Sequence, residues 1–225
     1  MSKRCVKCFR PLGNCFCKYI FPFDPGIKFV FLMHPKEAKH QRTGTGRLSH
    51  LTLINSEILV GLDFTKNERL SELLCDKKFF PLLLYPGKDA WSSQKEGFVK
   101  TVDKKKLLVL VIDATWFCSR KIIEHSPNLM KIPRISFSGC YRSIFTFKRE
   151  PRPEYISTIE SCYYLIKELQ PLELAARDAD PEPLIGVFKR MINFQIESEN
   201  ARIEGKLPST HAYDWKYKRK RDVLL

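Results

Sequence analysis

Residues 111–121, VIDATWFCSRK, bring an acid, a hydroxyl and an indole together where an apolar run gives way to a helical pattern. Asp113 or Thr115 suits the cap of that helix. A carboxylate, a hydroxyl and a large flat ring at one chain reversal are also the ingredients of a ligand pocket. A second cluster lies upstream. Four of the eight cysteines, Cys5, Cys8, Cys15 and Cys17, are spaced C-x2-C-x6-C-x-C. Four thiolates this close in sequence can close a tetrahedral shell around Zn²⁺, with Pro11 and Gly13 helping the chain double back. An iron–sulfur cluster also takes four thiolates and is the rival occupant. The segment is too short for a core of its own, so metal binding would supply its folding energy. Cys75, Cys118, Cys140 and Cys162 are scattered in apolar contexts and read as small core residues.

The elements that position these groups follow from periodicity. Residues 28–34, 79–85, 106–112 and 131–138 are short runs rich in β-formers and read as strands. The run 106–112 is apolar on both faces, as a central parallel strand should be. Helical spacing marks 48–58, 115–124, 157–169 and 183–203, and Ser157 with Glu160 forms a capping box. Residues 35–47 read as a polar, Gly- and Thr-rich loop. Strands alternating with helices predict an α/β sandwich on a mostly parallel sheet. The expected organisation is a four-cysteine zinc-binding segment (1–24), a catalytic domain (25–205) and a basic C-terminal tail (206–225), whose KYKRKR run (216–221) suits a polyanion.

In open α/β sheets ligands sit past the carboxyl ends of the strands. Here those ends carry His34 to Glu37 with the RTGTGR loop (42–47), then Tyr85-Pro86-Gly87, then Asp113 to Trp116, then Ser138 to Arg142. Each has a plain structural reading, such as turn, cap or core. Gathered on one edge of one sheet, they predict a cofactor pocket flanked by arginines. The loop is not a P-loop, because the G-x4-GK[ST] spacing is absent. The chain carries 39 Lys and Arg against 25 Asp and Glu, a formal net charge of +14 across 225 residues. That excess points to a polyanionic partner, nucleic acid before an anionic membrane. No secretory leader is visible and no apolar run reaches the ~20 residues of a bilayer span, so a soluble, cytoplasmic protein with reduced cysteines is expected.

The DATW stretch, the cysteine set with Arg10-Pro11, HPKE…RTGTGRL, LLYPGKDA, YRSI and PRPEYISTIES occur here in one order along most of the chain. Together they resemble the DTW-domain family. That resemblance implies a SPOUT-like fold with a trefoil knot near the cofactor site, and S-adenosylmethionine as co-substrate. It implies transfer of the 3-amino-3-carboxypropyl group to N3 of a uridine in tRNA, with no DNA or membrane partner expected, by a protein that is either a dimer, as SPOUT relatives often are, or a monomer. RNA methylation from the same co-substrate, or the same transfer to ribosomal RNA, are the alternatives. Within that reading Asp113 orients or deprotonates the base, or anchors the amino group of the transferred arm, while Arg42 or Arg142 offsets charge. Trp116 stacks on the base or walls the adenine. Thr45, Gly46, Leu84, Tyr85, Pro86, Gly87 and Thr115 hold the adenosine. Ser157, Thr158 and Glu160 present a helix amino end to the arm's carboxylate. The zinc segment and the basic tail grip the RNA backbone.

Overall fold

The computed structural model describes residues 3–40, 44–145, 155–208 and 219–224, with the backbone alone at His40 and Trp116. Five strands, β1 (Lys28–Met33), β2 (Ser56–Val60), β3 (Phe79–Leu84), β4 (Lys106–Asp113) and β5 (Arg134–Ile135), form one parallel sheet in the order β2-β1-β4-β3-β5. The helices are α1 (Pro35–His40), α2 (Thr45–Thr52), α3 (Glu68–Cys75), α4 (Phe98–Val102), α5 (Trp116–His125), α6 (Thr158–Leu169) and α7 (Glu182–Ile203).

The period-2 geometry of the central strands sorts their apolar residues onto two faces. Phe29 and Phe31 of β1 and Leu107, Val109 and Val111 of β4 pack with α2, α4, α6 and α7. Val30, Leu32, Leu108 and Leu110 pack on the other side with Leu70 and Leu73 of α3 and Ile122 of α5. The sandwich expected from the alternating pattern is therefore present, with both faces of the sheet covered. The 22-residue α7 buries Leu184, Val187, Phe188, Met191, Ile192 and Ile196, the stripe that a 3.6-residue period puts on one side. No described helix is long and apolar enough to cross a membrane.

Three expectations need correcting. The helical reading of 48–58 spans two elements: α2 ends at Thr52, and Ser56–Val60 is the edge strand β2. Ile58 packs with one core and its neighbour Leu59 with the other, which is strand alternation that a short mixed run conceals. The expected loop after β1 begins with α1. Pro35 opens it, and the Lys36 backbone amide donates to His34 Nδ1 (3.1 Å). Of the scattered cysteines, Cys118 and Cys162 are buried core residues, but Cys75 and Cys140 are exposed. The cysteine segment packs on the main core, where Phe16 is 2% exposed and meets Phe194 of α7 edge-to-face at 5.8 Å. The basic run at 216–221 lies outside the described residues up to 218. From there the chain runs along α7. Asn200 exchanges two hydrogen bonds with the backbone of Arg221, and Asn193 two with that of Leu224.

Glu160 shows how the loop before α6 is held. It is 1% exposed, completes the capping box with Ser157, and also accepts from the Ser143 hydroxyl and the Ile144 amide, both at 2.7 Å. Removing it strands several buried donors at once. Glu160→Ala is expected to cost about 3 kcal/mol of stability, measured by urea unfolding.

Candidate functional site

The carboxyl ends of β3, β4 and β5 open into a cavity of ≈ 690 Å³, within the usual range for small-molecule sites. Leu84, Tyr85 and Pro86 follow β3 on one side, and Ile135, Ser136 and Phe137 follow β5. Ser157, Thr158 and Ser161 bring the amino end of α6 to the wall. Among the described lining residues only Glu37, on α1, and Asp113, at the end of β4, carry charge.

Asp113 is 4% exposed. Its Oδ1 accepts a 2.8 Å hydrogen bond from Thr158 Oγ1, and its backbone carbonyl accepts from the His34 amide at 3.1 Å. Gly46, on the first turn of α2, leaves the room the carboxylate occupies, since a Cβ there would lie 2.3 Å from the Asp113 carboxyl carbon. Arg47, the next residue, is the cation drawn toward Asp113. Burial lowers its pKa, and the Asp113 and Cys8 charges oppose that shift. Thr115 is the cap of α5, accepting from the Cys118 amide, and it also lines the cavity.

The loop after β5 is built around Glu168 of α6. Its carboxylate accepts from the amides of Ser138 and Gly139 and from the hydroxyls of Tyr141 and Ser93. Burial works to raise the Glu168 pKa, and these donors outweigh it, so the net shift is downward. Tyr141 stacks on Tyr164 at 3.8 Å between centroids. Burial, then Glu168, push its hydroxyl up to about 12, so it stays a donor.

A second cavity of ≈ 790 Å³ lies between the cysteine segment, α1, α2 and α7. Asp113 and Glu37 line it too, so the two cavities adjoin at these side chains. Beside it the sulfurs of Cys5, Cys8, Cys15 and Cys17 lie within 4.8 Å of one another, with Cys5 to Cys17 at 3.6 Å and Cys8 to Cys15 at 3.7 Å. Thiolates at about 2.3 Å from one tetrahedral ion have S···S edges of about 3.8 Å. The four residues therefore fit a single zinc-like ion. A multi-iron cluster divides its four thiolates among two or more irons and so spreads the set wider than one ion does. The Cys8 and Lys7 backbone amides hold the Cys5 thiol down to about 6, whereas burial and then the neighbouring thiols push Cys17 up, so the case for a metal rests on the sulfur spacing.

Of the residues expected at the site, Thr45, Leu84, Tyr85, Pro86, Asp113, Thr115, Ser157 and Thr158 line the first cavity. Gly46 backs Asp113 from outside it. Gly87 lies beneath the Arg134 guanidinium, which a Cβ would meet at 2.3 Å, and Glu160 commits its carboxylate to the capping box and the 143–144 loop. Arg142 is exposed and lines neither cavity. Arg42 and the Trp116 side chain lie outside the described residues. Sequence spacing does not set Arg47 apart from Arg42 in the RTGTGR loop, yet the helix that starts at Thr45 puts it one residue from the glycine under Asp113. Glu37 and Tyr141 were near strand ends in the sequence without an assigned role.

Two outcomes test this geometry. Alanine for glycine inside a helix ordinarily stabilises by about 1 kcal/mol; Gly46→Ala is expected to reverse that sign and cost about 2 kcal/mol, because it must displace Asp113, as read by urea unfolding. Elemental mass spectrometry is expected to find one metal ion per chain, and chelation to lower the thermal midpoint and open 5–17 to proteases.

No solved structure matches the chain. The family model described as the DTW domain matches residues 2–196, from ahead of the first cysteine to the middle of α7. The chain belongs to the DTW-domain family.

Proposed function

We propose that this protein transfers the 3-amino-3-carboxypropyl group of S-adenosylmethionine to N3 of a uridine in tRNA, releasing methylthioadenosine. DTW-domain membership is consistent with tRNA modification. The observation that carries the finer reading is the first cavity: largely apolar, at the carboxyl ends of a parallel sheet, with Asp113 and Glu37 as its charged groups among the described lining residues. Apolar walls at Leu84, Pro86, Ile135 and Phe137 suit an adenine. The two acids suit a sulfonium and an ammonium. The amino end of α6, with Ser157, Thr158 and Ser161, suits the arm's carboxylate.

When bound, S-adenosylmethionine supplies a carbon already activated by its sulfonium. The chain's own task is then orientation and proton removal. Asp113 accepts the N3 proton or orients N3–H, and Thr158 fixes its carboxylate by donating to Oδ1. Thr115 holds the start of α5 against the cavity. Zinc at the four cysteines is structural in this reading. A SPOUT-type knot, action as a monomer and a cytoplasmic setting belong to the same proposal. The formal charge of +14 favours tRNA as the partner.

Purified protein, unmodified tRNA transcripts and S-adenosylmethionine are incubated, and the digested nucleosides are weighed. A uridine gaining the aminocarboxypropyl group is expected. Asp113→Asn, which keeps the size and loses the charge, is expected to lower its formation by about a hundredfold or more. A methylated nucleoside would keep the co-substrate and overturn the transfer. Product on ribosomal RNA alone would move the acceptor.

A further inference from the structure

The two cavities meet at Asp113 and Glu37 and differ in charge. Toward the first cavity Asp113 and Glu37 are the charged groups among the described lining residues. Toward the second they face Arg4, Arg10, Lys39, Arg47 and Arg202. The first environment favours a cationic ligand, the second an anionic one. We propose that the second cavity receives the target nucleotide, its uracil ring against Asp113 and its flanking phosphate among the arginines, while the sulfonium co-substrate reaches Asp113 from the first cavity, so that the reacting atoms meet where the two cavities adjoin. This rests on the transfer reading above and adds where the acceptor binds.

Approach from opposite sides is what the displacement requires. The N3–C bond forms on one face of the carbon as the C–S bond breaks on the other. The electron pair of that bond leaves on sulfur as a neutral thioether, and the N3 proton passes to Asp113 or to solvent. A uracil losing its proton beside a carboxylate meets like charge, and Arg47 supplies the offsetting cation from α2. The lining also offers aromatic surface. Phe9 of the cysteine segment is 52% exposed, and its ring lies 4.3 Å from the Arg47 guanidinium carbon. An aromatic face beside an arginine fork is a common way to hold an unstacked base and its phosphate. The volume of ≈ 790 Å³ accommodates one nucleotide. In this arrangement the metal segment is a wall of the acceptor site, since Arg4, Phe9 and Arg10 all belong to it.

The test uses the full-length protein with tRNA carrying 4-thiouridine, cross-linked by light and mapped by peptide mass spectrometry. Calorimetry with S-adenosylmethionine and transfer assays run in parallel on wild type, Arg47→Gln and Gln195→Trp; Gln195 lines the second cavity only. Cross-links are expected on Phe9, Arg47 or Phe194. Both variants are expected to lose about tenfold or more in transfer while co-substrate affinity stays within about twofold. Cross-links confined to residues 85–86 and 136–141, or wild-type transfer by both variants, overturn the proposal and leave the transferase reading intact. A wild type that binds no S-adenosylmethionine sinks the transferase reading instead, and the cross-link map still decides whether the nucleotide enters this cavity.

Discussion

Asp113 is a carboxylate buried at the end of a central strand, and burying a charge is costly unless its surroundings compensate. The compensation comes from several elements. Thr158 donates a hydroxyl hydrogen bond from α6. Gly46 on α2 omits the side chain that would occupy the same space. The next residue, Arg47, contributes a nearby cation, and the His34 amide ties the Asp113 carbonyl to the end of β1. The positions of α2 and α6 over the sheet are thus linked to one side chain. Each can pack where it does because the acid's space and one of its bonds are provided for.

Helix α6 serves the cavity a second way. Glu160 and Glu168 stand eight residues apart on it, about 12 Å along its axis. Each gathers donors from the segment after β5: Glu160 from Ser143 and Ile144, Glu168 from Ser138, Gly139 and Tyr141. A loop with little regular structure would otherwise leave these backbone amides to water. Two carboxylates on a rigid helix fix it at two points, so the Tyr141 ring is presented to the cavity by α6 as much as by its own loop.

The sheet was legible where hydrophobicity was strong. β1, β3 and β4 are apolar runs of six to eight residues, and buried parallel strands announce themselves that way. β2 was not legible, because an edge strand is half solvated and its two apolar faces merged with the preceding helix into a single helical-looking pattern. The cavity's position followed from the rule that ligands sit at strand ends, and the capping box at Ser157 could be read directly. What sequence spacing could not supply was the choice among arginines. Arg42, Arg47 and Arg142 look alike in a string; only the start of α2 at Thr45 distinguishes Arg47, by setting it beside the glycine that touches Asp113. Glu160 posed the same difficulty, since a capping acid and a ligand-binding acid have the same letter.

The cysteine segment bears on the site through geometry as much as through stability. The segment's apolar hold on the main core lies in its second half, Phe16 against Phe194 with Tyr19, Ile20 and Phe23 alongside, and that leaves the backbone of residues 3–15 weakly constrained. Cross-linking four of its positions through a single ion would remove most of that freedom. Arg10 is held with its guanidinium carbon 3.9 Å from the Phe16 ring, and Phe9 takes a left-handed backbone at φ 57° directly after Cys8. A non-glycine residue is strained in that region, and such strain persists where the surroundings fix it. The knuckle that holds Cys5 and Cys8 together is what fixes it here. It also turns the Phe9 ring toward Arg47. The four-cysteine cluster and the acid at the end of β4 are therefore parts of one arrangement, joined through the pair Phe9–Arg47.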